Sequence, residues 1–316
     1  MNEQFLDAEI LNAVPRALGL TDRQDRSETF GCCDRAYWHY RQIDFANARF
    51  QEIGLMLAYA HALPINKNPY YQKEALVRWS VGIWAHWLES RTVDGAVCEA
   101  YPNERSVCAT AFTAAAFIET AHLLKDQYDW QPMLADAERT MHWLSEHTTT
   151  DAFNQMAASY LALSGYAALT GRDDAAAWAS SRRDVLLSLI RDDGVLPEYG
   201  GFDSGYQSLS LATLAAAERH FGSNNSIRDA LGKASRTMRD NFTPPFGFDT
   251  AANARRTQYV FPSGLSGVDG LLETQIMPSI EAGRALRPSW MDDRYFIGLA
   301  TDFMRLRHTQ QIMAAG

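Results

Sequence analysis

Metal and disulfide chemistry find little material in this chain. Its 316 residues include only four cysteines, Cys32, Cys33, Cys98 and Cys108, and eight histidines. No two cysteines form a C-x-x-C pair, and adjacent Cys32 and Cys33 are poor geometry for tetrahedral zinc. Reduced, partly buried thiols are the expectation. His142 and His147 lie five apart, not the four that put two imidazoles on one helical face. Basic charge is short as well: 29 Lys and Arg against 38 Asp and Glu leave a net charge of −9. That argues against a nucleic-acid binder, which needs a basic footprint, but leaves room for a locally basic cleft.

Long hydrophobic runs are also missing. The one uncharged stretch of spanning length, 152–171, carries Asn154, Gln155, Ser159, Ser164 and many alanines, so it reads as a buried helix rather than a membrane span. The opening Met1-Asn2-Glu3-Gln4 has no basic n-region or apolar h-region, and a cytoplasmic location is expected. There is no G-x-S-x-G, Walker A, G-x-G-x-x-G or H-E-x-x-H. Asp192-Asp193 and Asp292-Asp293 are not the D-x-D-D of protonation-initiated terpene cyclases. Neither a metal nor a cofactor is expected.

Helical periodicity runs through almost the whole chain, and no stretch alternates as a strand would. Caps and breakers place about eleven helices, near 3–18, 44–62, 70–91, 107–124, 131–147, 152–170, 173–191, 206–221, 225–241, 264–284 and 290–309. Alternate helices are rich in small residues, as in Cys108-Ala109-Thr110-Ala111, Ala157-Ala158-Ser159 and Ala215-Ala216-Ala217. Small residues let helix axes approach closely, which suits an inner ring. The helices between carry bulk and charge, such as Arg182-Arg183-Asp184, around one apolar stripe. Trp79, Trp84, Trp87 and Trp143 fall at core spacing on these and read as packing.

Connections from outer to inner helices are long, near 19–43, 92–106, 192–205 and 242–263, with 148–151 the short exception. Loops of that length inside a compact domain usually carry function. Asp94-Gly95-Ala96-Val97-Cys98-Glu99-Ala100-Tyr101 is echoed by Asp193-Gly194-Val195-Leu196-Pro197-Glu198-Tyr199, a faint repeat of stacked hairpins. The expectation is one all-α domain over residues 1–316, an (α/α) toroid of about six helical hairpins, the last incomplete. Its long loops would gather at one mouth.

Those loops hold the chemistry. Glu198, Tyr199, Asp203, Tyr206 and Gln207 cluster among three glycines before an inner helix, although Asp203 alone would serve as a cap. Glu99, Tyr101, Glu104 and Arg105 offer an acid, a phenol and a guanidinium from the parallel loop. Asn154 and Gln155 follow Asp151 in the first turn of a helix, where amides and the helix dipole favour a carboxylate. Arg255, Arg256 and Tyr259 suit an anionic group, and Arg35 with Trp38 reads as a ligand wall.

Phe153-Asn154-Gln155, then Gly194-Val195-Leu196-Pro197, then Tyr206-Gln207 resemble the α/α-toroid carbohydrate-active enzymes, especially toroid alginate lyases and heparinase II/III-like lyases. There an Asn-Asn-His run, a G-x-L-P turn and a tyrosine follow in the same order. The resemblance covers roughly residues 150–215, and Gln155 stands where the family has histidine. It implies that Asn154 neutralises a uronate carboxylate and that Tyr206 shuttles protons. It also implies a toroid-only form, without the C-terminal β-sandwich of many heparinase-like enzymes.

The expected function is therefore action on an acidic, uronate-containing oligo- or polysaccharide by β-elimination. Such a lyase neutralises the carboxylate while a base removes the α-proton. Two alternatives stay open. One is a glycoside hydrolase using Glu99 or Glu104 with Glu198 or Asp203; the other is a noncatalytic glycan-binding component of polysaccharide biosynthesis. Arg35, Arg105, Arg255 and Arg256 would form a basic entrance in an acidic shell.

Overall fold

Hydrophobicity on every face of a helix demands neighbours on every face, and four segments meet that condition. They are α3 (Ile53–Ala62), α5 (Val107–Leu123), α7 (Phe153–Thr170) and α9 (Ser204–Phe221). In α5 every residue from Ala109 to Ala121 is buried. The computed structural model describes residues 2–222, 224–243, 247–249, 251, 253–266 and 270–315, and it is all-helical but for a two-residue antiparallel ribbon, Phe242–Thr243 with Gly247–Phe248.

Each inner helix packs on the next: α3 on α5, α5 on α7, and α7 on α9. Helix α9 then meets a 3-10 turn at Pro262–Leu265, the turn meets α12 (Tyr295–Ala315), and α12 meets α3. Gly264 permits the contact of turn and helix, since a Cβ there would lie 2.3 Å from the Ala212 nitrogen.

The other helices back this series. Helix α4 (Glu74–Glu89) lies on α3, α6 (Gln131–Glu146) on α5 and α7, α8 (Asp173–Leu189) on α7, and α10 (Asn225–Asp240) on α9. Helix α1 (Glu3–Leu20) covers α12 and α3. Each presents one stripe: α8 buries Ala175, Ala179, Arg182 and Leu186, at spacings of four, three and four. Trp84, Trp87 and Trp143 are buried, and Trp79 packs half-buried at the edge, as their spacing predicts.

Local chemistry sets the boundaries. Ser106 accepts from the Ala109 nitrogen at the start of α5, Asp203 from Tyr206 at the start of α9, and Gly171 closes α7 in the left-handed region. The expected helix 44–62 is instead a 3-10 turn at Ala48–Glu52 leading into α3, because Asn47 caps the backbone at Arg49. The expected loop 19–43 contains a four-residue helix, α2 (Arg35–Trp38), capped by Asp34.

The expected helix 264–284 breaks into the turn at Pro262–Leu265, a wide π segment at Leu272–Ile276 and the short α11 (Met277–Glu281). Residues 267–269 of that stretch lie outside the described residues, as do 244–246, 250 and 252 of the loop 242–263. No described helix is long and apolar enough to cross a membrane.

Candidate active site

The first turns of α5, α7, α9 and α12 surround one cavity of about 270 Å³. Asn154 and Gln155 reach it from α7, Tyr206 from α9. The loop after α8 is stitched across the start of α7: the Phe153 nitrogen donates to the Pro197 carbonyl at 3.2 Å and the Tyr199 nitrogen to the Asp151 carbonyl at 2.6 Å. This pairing sets the Glu198 side chain against Asn154, whose Nδ2 donates to Glu198 Oε2 at 2.5 Å. Tyr199 and Gly200 then turn the chain back through positive φ, which leaves the Tyr199 ring exposed at the rim.

The loop 253–257 is latched onto the start of α9. Asp203 accepts from the Arg255 nitrogen at 2.9 Å and from the Thr257 hydroxyl, while Asn253 Nδ2 donates to the Ser204 hydroxyl at 2.7 Å. So held, Arg255 donates to Glu198 Oε1 at 3.0 Å. Its guanidinium also stacks over the rings of Tyr199, at 4.7 Å, and Tyr206, at 5.0 Å.

Burial pushes the Glu198 carboxyl up to about 7, against the pull of Asn154 and Arg255, which favour the charged form. Burial likewise pushes the Tyr206 phenol up to about 12, helped by neighbouring Tyr295. Burial raises the half-buried Tyr259 phenol further, and its contact with Tyr206 adds to the shift. The site thus pairs a carboxyl that titrates near neutrality with phenols that keep their protons.

The opposite wall carries its own ion pairs. Arg294 donates to Glu99 Oε1 at 2.8 Å, and Arg49 donates to Glu52 and approaches Cys108 Sγ at 3.2 Å. Arg49 also lies over the Phe112 ring at 4.2 Å. Deeper in the cavity, Arg305 grips both oxygens of the fully buried Glu119, at 3.0 and 2.6 Å, and Tyr59 donates to the same carboxylate.

Eight of the residues singled out in the sequence line this cavity: Glu99, Asn154, Gln155, Glu198, Tyr199, Tyr206, Arg255 and Tyr259. The others lie elsewhere. Asp203 is wholly buried, and both its oxygens are taken by the α9 cap and the loop latch. Gln207 is also buried; it accepts from the Leu196 nitrogen and donates to the Gly194 and Ala234 carbonyls, so it staples a loop. Glu104 accepts from the Glu99 and Ala100 nitrogens and folds the turn that presents Glu99. Tyr101 points to solvent at 70% exposure, and Arg105 pairs with Asp94 at 3.1 Å.

Arg35 donates to the Gly19 carbonyl and stacks on Tyr40, and Trp38 donates to the Leu20 carbonyl, so both tether the first loop to α1. The arginines that line the cavity are therefore Arg49, Arg255, Arg294 and Arg305, and not Arg35, Arg105 or Arg256. Arg49, Glu52, Cys108, Glu119, Arg294 and Arg305 went unrecognised in the sequence. Only Glu119 left a signal, a single carboxylate inside the otherwise uncharged 107–124.

Because Asp203 joins α9 to the Arg255 loop, Asp203→Ala is expected to cost about 2–4 kcal/mol through the lost cap and orphaned donors. Thermal unfolding would show this as a lowered Tm. An unchanged Tm would mean the latch is not strained by losing its centre.

Among the described residues no group of three or more His, Cys, Asp or Glu is placed to hold a metal ion. The four thiols are free, and burial pushes that of Cys32 up to about 12. No protein-family model, curated protein or solved structure matches the chain.

Proposed function

We propose that this protein is a carbohydrate-active enzyme that cleaves an acidic, uronate-containing oligosaccharide by β-elimination. We read its cycle of packed helices as an (α/α) toroid. One observation carries the reading: a carboxyl of neutral pKa, Glu198, sits between the amide of Asn154 and the guanidinium of Arg255, with the protonated phenol of Tyr206 under that guanidinium.

Elimination asks for each of these groups. Asn154, Gln155 and Arg255 are the donors for the substrate carboxylate, whose neutralisation acidifies the α-carbon. Glu198 takes the α-proton, and the C–H electron pair becomes the new C=C bond. The bond from the β-carbon to the glycosidic oxygen breaks, and the Tyr206 hydroxyl protonates that oxygen as it leaves. When Glu198 becomes neutral it releases its charge hold on Arg255. The guanidinium then faces the charge developing on the substrate.

A hydrolase is the second reading. It is favoured by Glu99, which lines the same cavity as Glu198 from the facing wall with its own arginine, as paired carboxyls require.

Incubation with uronate-containing glycans should produce the ultraviolet absorbance of an unsaturated product, and Tyr206→Phe should lower its rate by about 100-fold or more. New reducing ends without that absorbance would establish hydrolysis. Binding with neither product would establish a noncatalytic glycan-binding role. Full activity in the phenylalanine variant would remove Tyr206 from the chemistry.

A further inference from the structure

The cavity runs inward from an open rim to a fully buried end. On α5 its lining residues Cys108, Phe112, Ala115 and Glu119 follow one another at helical spacing. It therefore runs along the helix, and Cys108 to Glu119 spans about 16 Å at the α-helical rise. On α12 the series Tyr295, Gly298, Thr301 and Arg305 gives the same direction over about 15 Å. The rim is open, with Tyr199 60% and Tyr295 44% exposed, whereas Glu119 at the other end is 0% exposed. Arg305, Tyr59 and Asp302 lock that floor in place.

We propose that this blind shaft takes the end of an acidic oligosaccharide chain. The terminal sugar descends toward the Glu119–Arg305 floor while the bond to be cut lies at the mouth, beside Glu198 and Tyr206. A chain interior cannot thread a closed shaft, so the enzyme acts from a chain end and releases one short product of fixed size. The floor selects no net charge, because the Glu119 carboxylate and the Arg305 guanidinium already neutralise each other.

Gly298 supports the use of this space. It sits within α12, where glycine is the least favourable residue short of proline. A Cβ there would meet nothing closer than Phe261 Cε1 at 3.9 Å. Alanine would fit and would favour the helix, but its methyl would narrow the shaft. The small side chains of Ala115 and Ala116 keep the facing wall open in the same way.

The inference rests on the acidic-sugar reading, and its test separates the two. Hexamers of glucuronate, mannuronate and galacturonate are offered with free ends or with a bulky fluorophore on both ends, and binding and product size are recorded. End insertion predicts that a free hexamer is bound and gives one product size from the first turnovers. Its doubly capped form is neither bound nor cut. Cleavage of a capped hexamer overturns end insertion and leaves elimination standing. If no free hexamer binds, the acidic-sugar reading falls and the shaft proposal with it. Gly298→Leu should weaken hexamer binding by about tenfold or more, and Gly298→Ala should raise Tm because the methyl has room. Wild-type binding in the leucine variant overturns the use of the shaft.

Discussion

Glu198→Gln is expected to lower kcat/KM by about a thousandfold at pH 8 while leaving Tm unchanged or higher. The geometry tolerates the exchange. One glutamine oxygen can still accept from Arg255, and the Asn154 amide can reverse to meet the new NH2 group. The variant also removes a buried charge. A carboxyl raised to about 7 keeps its proton in the folded state between its ordinary value and neutrality, whereas the unfolded chain releases it. Wild-type stability therefore falls as pH rises through that window, and the glutamine variant is spared this loss.

The pH–rate profile assigns the proton. If Glu198 is the base, activity rises through about pH 7, and Arg255→Met moves the rise to higher pH because Arg255 holds the carboxyl down. If activity instead falls through pH 7, Glu198 is the proton donor, and hydrolysis replaces elimination. A limb that stays at the same pH in Glu198→Gln would take this residue out of the reaction.

The long helices were legible because their signals are local. Small-residue density marked α5, α7 and α9, and the expected start near 107 and end near 170 are ones the structure keeps. The break within 264–284 was not legible. Its turn at Pro262–Leu265 follows from close packing on α9, and its π segment from geometry that periodicity does not encode.

The site was half legible for a similar reason. Glu198, Tyr199 and Tyr206 stood out as an unusual loop composition, but Asp203, Gln207 and Glu104 belong to the same segments and spend their polar groups on the backbone. A cap and a catalytic carboxylate look alike in sequence. Arg294 meets Glu99 across 195 residues of chain, a contact that no local signal announces.

The buried pair at the floor should govern stability. Glu119→Ala is expected to cost about 3–5 kcal/mol, because Arg305 keeps its charge in a buried site where Asp302, at 3.4 Å, is the one carboxylate left to it among the described residues. For a chain of this size that lowers Tm by on the order of 10 °C. Tyr59 would also lose its acceptor, and His220 the carboxylate that lies 3.5 Å from its ring nitrogen. Burial pushes the Glu119 carboxyl up, but Arg305, aided by His220, overrides it and holds the group well below its ordinary value. Its contribution is therefore complete above the ordinary carboxylate pKa and is lost as pH falls below it. The alanine variant should accordingly show a shallower decline of Tm in acid than the wild type. Replacing both partners, Glu119→Met with Arg305→Met, removes the two charges together and fills the space with apolar chain, so the double variant should unfold at a higher temperature than either single one. If the two losses simply add, the pair is not coupled, and the floor owes its rigidity to Tyr59 and Asp302 instead.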